Sequence, residues 1–169
     1  LTDWTYDKIL PYFKKSESVE GLDSNFRGDS GPLKLSRSTN GNILSQVYLN
    51  AAQQAGYQIN NDMNGKEQEG FGLMDTTIFN GKRQSTSVAY LHPIKHRSNL
   101  EILTNVTVNK ILFEDKKAVG VECKANGENK KYFSSKEVLL SAGAINSPQL
   151  LMLSGIGPEN ELSKHNIDP

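Results

Sequence analysis

The sequence lacks the features that mark several large classes of protein. Its 169 residues include one cysteine, Cys123, so no disulfide can form within the chain. Basic and acidic residues balance at 19 each, which leaves no net charge to attract nucleic acid or an anionic membrane surface over long range. The longest apolar runs, such as 150–153, fall far short of the roughly 20 residues that a membrane-spanning helix needs. We therefore expect a globular chain with no nucleic-acid partner and no membrane span.

Sequence motifs for catalysis are also missing. The chain contains neither the G-x-G-x-x-G fingerprint of dinucleotide binding nor the G-x-S-x-G elbow of serine hydrolases. Its histidines, His92, His96 and His165, lie in polar or turn-like stretches, which favours surface positions over metal ligands or catalytic bases. Cys123 alternates with two valines, which predicts a buried structural thiol rather than a reactive one. We therefore predict no catalytic residue and no metal site within the chain.

The first half of the chain reads as helices joined by long polar connectors. Apolar residues recur at helical spacing over 6–13, and a broader apolar stripe over 43–55 ends at Gly56, a residue typical of the position after a helix. The segments 21–39 and 59–72 are rich in Gly, Asn, Asp and Ser and predict loops. Ordered loops of this length are uncommon unless they line a site or dock on further polypeptide.

The second half changes to a pattern of strands. Residues 85–91 predict a short helix that stops ahead of Pro93, because the residue before a proline disfavours helix. Apolar runs then alternate with polar turns at 114–117 and 126–129, as in a β-meander. The runs that predict its strands are 100–103, 106–113, 118–122 and 131–133.

The most informative segment is the join between a predicted strand, 138–141, and residues 143–157. The apolar run suits a buried parallel strand, and Ser147 is placed as the N-cap of a helix over 148–153. The N-terminus of that helix would point back at the carboxyl end of the strand. Ligands of open α/β sheets bind at this edge and helix N-termini favour anions, so the geometry indicates a nucleotide-cofactor crevice.

The same segment resembles the second signature of the glucose-methanol-choline (GMC) family of FAD-dependent oxidoreductases. Five further stretches match the family in order and extend the resemblance over essentially the whole chain; they are 4–17, 31–33, 81–86, 99–104 and 118–122. Their style is most similar to the insect glucose-dehydrogenase-like branch. The signature positions that match are Gly143, Ala144, Ser147, Pro148, Leu150, Leu151, Ser154, Gly155, Ile156 and Gly157.

The resemblance implies an α/β fold, α+β overall. Residues 84–169 would be part of a Rossmann-like FAD-binding domain with a β-meander, and 1–83 part of the substrate-side region. It also implies FAD as cofactor and a small alcohol or sugar as substrate, oxidised by hydride transfer to the flavin. The family's dinucleotide fingerprint and catalytic histidine would both lie outside this chain. Because the sequence begins at Leu1 and stops at Pro169, we expect an internal fragment, or alternatively a truncated, non-catalytic binding module.

Three residues are implied to bind the cofactor. The resemblance places Val108 where the family's backbone pairs with adenine, although an ordinary strand valine fits the pattern too. Ala142 and Gly143 are small enough to let the backbone approach a ligand, or Gly143 merely makes the turn. The sequon 105–107 is expected by chance in an Asn-rich chain, so the compartment stays open, with secretion as one option.

Overall fold

The computed structural model describes residues 2–38 and 41–169. They form two compact units, Leu1–Glu101 and Ile102–Pro169. The two compact units meet between 101 and 102, whereas the sequence predicts a boundary between 83 and 84, from a substrate-side region to an FAD-binding region. That functional boundary stays a prediction. Helices and strands occur together in both units, in agreement with the mixed α/β class. Within the described ranges, no helix has the length and apolarity needed to cross a bilayer.

The first unit combines helices with very short strands and long irregular segments. The short strands form one parallel and one antiparallel pair, each two residues long. The predicted helices are both present, and the predicted loops are largely irregular over their described residues, while residue 39 of the first loop lies outside them. The elements are α1 (Tyr6–Ser16), β1 (Glu17–Ser18), β2 (Leu33–Lys34), α2 (Ile43–Gln54), β3 (Ile78–Phe79) and β4 (Lys82–Arg83).

Helix α2 begins and ends where local chemistry dictates. The side chain of Asn42 accepts a hydrogen bond of 2.9 Å from the N–H of Leu44, which satisfies a free donor of the first turn. Gly56 follows the helix with a φ of 88°, the conformation expected after a helix end. The apolar face is only partly covered, because Ile43 and Val47 remain more than half exposed.

The loop over 59–72 is ordered by packing against α2. The ring of Phe71 lies 5.5 Å from Tyr48 and 5.0 Å from Tyr57, both in tilted arrangements that aromatic pairs favour. The side chain of Asn60 donates to the carbonyls of Glu67 and Glu69 at 2.7 and 3.0 Å. The loop therefore has a fixed contact near its start, through Asn60, and another near its end, through Phe71.

The predicted helix over 85–91 is present in an altered form. Ser87–Leu91 is a π-helix and His92–Ile94 a 3-10 turn. Pro93 has no N–H to donate, so the regular α-helical ladder cannot continue through it. The hydroxyl of Tyr90 donates to the carbonyl of Ser16 at 2.9 Å, which holds this segment to the end of α1.

The second unit contains the predicted meander, in which three antiparallel strands lie in chain order. Asp115 and Lys116 have positive φ angles, as do Asn126 and Gly127, which is the requirement of two-residue type I′ hairpins. Residues 100–103, predicted as a first strand, form none, since they have no ladder partner in the described ranges. The strands are β5 (Val106–Glu114), β6 (Lys117–Ala125) and β7 (Glu128–Phe133).

Helix α3, Gly143–Leu153, packs against β5 of the meander and is followed by α4, Glu159–Leu162. The buried apolar residues of this unit include Ile111, Cys123 and Leu150. Cys123 is fully buried, which confirms its predicted position on the inner face.

The prediction of a buried strand over 138–141 is wrong for this structure. These residues pair with no other strand in the described ranges, and Leu139 is 83% exposed. A parallel strand exists only through its neighbours, and none is available here. The helix that follows starts earlier than predicted, with Ala142 as N-cap. Ser147 lies inside α3, where its hydroxyl accepts a 3.1 Å hydrogen bond from the N–H of Ala142.

Candidate functional site

A cavity of about 490 Å³ lies between the beginning of β5 and α3. Its volume is in the range typical of small-molecule sites. Two of the predicted cofactor-binding residues, Val108 and Ala142, both contribute to its wall, although they are far apart in sequence. We call this space the β5–α3 cavity. It is lined by Val106, Thr107, Val108, Ala142, Asn146, Gln149, Leu150 and Leu153.

The strand side of the β5–α3 cavity is the edge of β5. Three consecutive residues, 106–108, line the cavity, whereas neighbouring side chains of a strand point to opposite faces of a sheet. The cavity therefore opens along the strand's edge rather than over one face. Strand β5 is an outer strand of its three-stranded sheet, and such an edge presents peptide groups to a ligand. This arrangement suits the predicted use of the Val108 backbone.

The helix side of the cavity is a single stripe of α3. Asn146, Gln149, Leu150 and Leu153 follow the spacing that places helical side chains on one face. Leu150 is buried, while both amide side chains are exposed. The cavity thus combines apolar walls with polar groups that a ligand can reach, and it contains no acid or base. A lining of this kind offers apolar and hydrogen-bonding contacts but no group for proton transfer.

Buried Ser154 joins the two sides of the cavity. Its hydroxyl accepts a hydrogen bond of 2.8 Å from the N–H of Ile111 in β5. The same hydroxyl donates to the carbonyl of Leu150 in α3 at 2.6 Å. This serine of the predicted signature therefore has a structural task, since it connects the strand edge to the end of the helix.

Gly143 begins α3 but is not among the residues that line the cavity. Its φ is 94°, and a Cβ placed there would meet no atom within 4 Å. The need for glycine is therefore conformational, because side chains rarely adopt this backbone geometry. That observation favours the turn alternative. Close approach of a ligand to Gly143 stays a prediction.

The sequence did not point to the most highly charged cluster, which lies in the first unit around Arg27. The Arg27 side chain is 3% exposed and is surrounded by carboxylates from other parts of the chain. Its Nε donates to Glu17 at 2.9 Å, its Nη2 donates to Asp75 at 3.0 Å, and its Nη1 donates to Asp62. Arg37 adds a second cation 3.5 Å from Asp75.

The Arg27 cluster keeps its cation charged. Burial by itself lowers the pKa of the Arg27 guanidinium, but hydrogen bonds to Glu17 and Asp75 and the charge of Asp62 raise that pKa above its ordinary value. One guanidinium thereby connects β1, the 59–72 loop and the segment after it. No local pattern reveals such a cluster, because its members are separated by long stretches of sequence.

A more apolar groove of about 580 Å³ runs along α1 and is lined by Trp4, Tyr12 and Phe13 among others. These rings are each more than 60% exposed. An ion pair of 2.9 Å between Lys8 and Asp3 lies beside them. None of these residues was predicted as a site.

The histidines have no shared site. His92 belongs to a 3-10 turn, and His165 lies 3.6 Å from Glu161 on the surface. Among residues 2–38 and 41–169, no group of three potential ligands from His, Cys, Asp and Glu is arranged to hold a metal ion.

Comparison with known proteins identifies relatives across the whole chain. The family model described as GMC oxidoreductase matches residues 1–167. The mitochondrial choline dehydrogenase of Homo sapiens is 51% identical over 97% of this chain and 28% of its own length. The oxygen-dependent choline dehydrogenase of Staphylococcus saprophyticus is 47% identical over 100% of this chain and 30% of its own length. The chain thus spans less than a third of these relatives.

Solved structures show the same fold. The pyridoxine 4-oxidase from Mesorbium loti superimposes with a TM-score of 0.89 at 29% identity, over 99% of this chain and 33% of that one. An FAD-dependent oxidoreductase from Chaetomium thermophilum gives a TM-score of 0.83 at 31% identity, over 97% of this chain and 31% of that one. The expected fold class is confirmed. With matches of sequence and of structure over nearly its full length, the chain belongs to the GMC oxidoreductase family, whose cofactor is FAD.

Proposed function

We propose that the chain is part of an FAD-dependent alcohol oxidoreductase and that it binds the adenine end of the cofactor. The observation that carries this proposal is the meeting of Val108 and Ala142 in the β5–α3 cavity. Residues 84–169 would then act on the FAD side and 1–83 on the substrate side. FAD, when bound, supplies the hydride acceptor. The cavity's own residues bind and orient the cofactor, since none of them can hold or release a proton near neutral pH.

We further propose choline, a small alcohol, as the substrate of the whole protein. Relatives named choline dehydrogenase are 51% and 47% identical to this chain. That level of identity favours choline over the glucose suggested by the resemblance to the insect branch. The choice of choline is based on these two relatives.

The proposal is tested on the full-length protein that contains this segment. Its flavin content is measured by absorbance, and its turnover of choline, glucose and a simple primary alcohol is followed with an artificial electron acceptor. We expect stoichiometric FAD and a preference for choline in kcat/KM. Bound FAD with a preference for glucose would overturn only the substrate. A folded protein that neither contains nor takes up FAD would overturn the cofactor role.

A truncated, non-catalytic module is the alternative, because the chain spans under a third of its relatives. The two functions differ in their flanking sequence. A transcript that continues into a G-x-G-x-x-G motif on one side and a histidine-bearing segment on the other supports the enzyme. The isolated 169 residues should have no dehydrogenase activity in either case, and turnover that survives repurification would contradict this.

A further inference from the structure

Asn146 and Gln149 are the two amide side chains of the β5–α3 cavity. They lie three residues apart on α3, so their Cβ atoms are separated by roughly 5 to 6 Å along one helix face. Both are exposed, which leaves their polar groups accessible to a ligand in the cavity. A primary amide offers an N–H donor and a carbonyl acceptor side by side. The pair therefore presents a donor and acceptor pattern that can distinguish one flat ring from another.

Adenine carries a matching pattern. Its exocyclic amine is a donor, and the adjacent ring nitrogens are acceptors, so an Asn or Gln amide can bind it through two hydrogen bonds at once. The apolar side chains of Val106, Leu150 and Leu153 line the same cavity and suit the ring's faces. The cavity has no charged residue in its lining, which disfavours a phosphate as its occupant.

We propose that Asn146 and Gln149 recognise the adenine ring by its amine edge and thereby select FAD over flavins that lack this group. The proposal rests on the proposed function, namely that the cavity takes the adenine end of FAD. It adds two binding residues that contribute through their side chains, whereas Val108 would contribute through its backbone. Without these amides, the cavity would retain its apolar contacts and the backbone contact of Val108, but its preference for adenine over unsubstituted purine would be weaker.

The experiment uses the full-length apo-enzyme and titrates three flavins, FAD, FMN and the flavin dinucleotide with unsubstituted purine in place of adenine. The parent should bind FAD more tightly than the purine analogue. Asn146→Leu and Gln149→Leu should each weaken FAD binding about twofold to tenfold, the effect of one neutral hydrogen bond, and the double variant should show a smaller preference for FAD over the purine analogue than the parent does. Affinity for FMN, which has no adenine, should not change.

Gln54→Leu removes an exposed amide from α2 and serves as the matched control. Far-UV circular dichroism and thermal melting of each apo-protein exclude misfolding as the cause of a loss. A parent that binds no FAD would overturn the proposed function. A parent that binds FAD, with single and double variants that keep its affinity and its preference for adenine over purine, would overturn the role of the amides alone. Equal loss of FAD and FMN would also overturn it.

Discussion

The hydroxyl of Ser154 accepts a hydrogen bond of 2.8 Å from the buried N–H of Ile111, and through this bond the end of α3 is attached to the edge of β5. Other residues of β5 and α3 line the candidate site, so the bond joins the two elements that form the cavity walls. Ser154, a residue of the family signature, therefore accepts a hydrogen bond from a backbone N–H that would otherwise be buried without a partner.

Replacing this serine tests the connection. Ser154→Ala leaves the Ile111 N–H without its acceptor, and we expect the free energy of unfolding to fall by about 1 to 3 kcal/mol. Denaturant unfolding of the full-length protein measures the change. Ser163→Ala is the control, since Ser163 forms a similar bond to the carbonyl of Glu159 at an exposed position. Equal losses in the two variants would contradict the structural role of Ser154.

Arg27 is expected to be the most sensitive charged residue of the chain. Arg27→Met leaves Glu17, Asp62 and Asp75 without their shared cation, and breaking a buried ion pair in this way typically costs about 3 to 5 kcal/mol. Arg97→Met, at an exposed position, should change stability by less than about 0.5 kcal/mol. Comparable unfolding midpoints for the two variants would contradict the importance of the cluster.

The pH dependence of the Arg27 effect follows from the direction of its pKa shift. A raised pKa means that the stabilisation is complete below the unfolded-state pKa and is lost only as pH rises through the folded-state pKa. Both values lie well above the working range of proteins. The stability difference between the parent and Arg27→Met should therefore stay constant from neutral to mildly alkaline pH. Denaturant unfolding at several pH values measures it, and a steady decrease would contradict this assignment.

Val108→Pro tests the backbone role of this residue toward the cofactor. Proline removes the N–H, and loss of one buried hydrogen bond should weaken FAD binding by roughly tenfold or more in the full-length apo-enzyme. Val108→Ile keeps the backbone and should bind as the parent does. Proline is tolerated at edge strands and bulges, and β5 is an outer strand with a register shift between Val108 and Lys110. If a folded Val108→Pro protein binds FAD as tightly as the parent, Val108 has no role in binding the cofactor and is an ordinary strand residue.

Gly143→Ala tests whether backbone conformation is the reason for glycine. Its φ of 94° strains any side chain, so we expect a loss of about 1 to 3 kcal/mol in the free energy of unfolding although a Cβ meets no other atom. Gly143→Asn is the matched comparison, because Asn adopts a positive φ more readily than other residues that have a side chain. Denaturant unfolding measures both variants. A loss in Gly143→Ala no larger than that in Gly143→Asn would contradict the conformational requirement.

The exposed apolar faces predict how the isolated 169 residues behave. Ile43, Leu44, Val47 and Tyr48 on α2 are each more than half exposed, and contiguous apolar surface of this kind promotes association. We expect binding of a hydrophobic dye and concentration-dependent aggregation by light scattering. Ile43→Glu with Val47→Lys should reduce both signals. A monomeric, dye-free parent with a cooperative melting transition would show that the chain is an independent domain.

Several elements could be predicted because their causes are local. The hairpin at Asn126-Gly127 follows from residues that accept positive φ, and the inward position of Cys123 follows from strand alternation. The end of α2 is likewise predicted by a local feature, the glycine at 56, which adopts the positive φ typical of the residue after a helix. The GMC resemblance identified the family through ordered motifs, while the relatives compared above are choline dehydrogenases and do not show the insect branch that it suggested.

Other features depended on which distant residues meet in space. The run over 138–141 has the composition of a buried strand, but a strand is stable only when a neighbour accepts its hydrogen bonds. The three carboxylates around Arg27 and the two amides opposite Val108 have no sequence signature, because each group is assembled by packing between separated segments. Backbone conformational preferences depend on a few neighbouring residues, so they can be predicted from the sequence. Burial, ion pairing and cavity shape arise from contacts that only the folded chain creates.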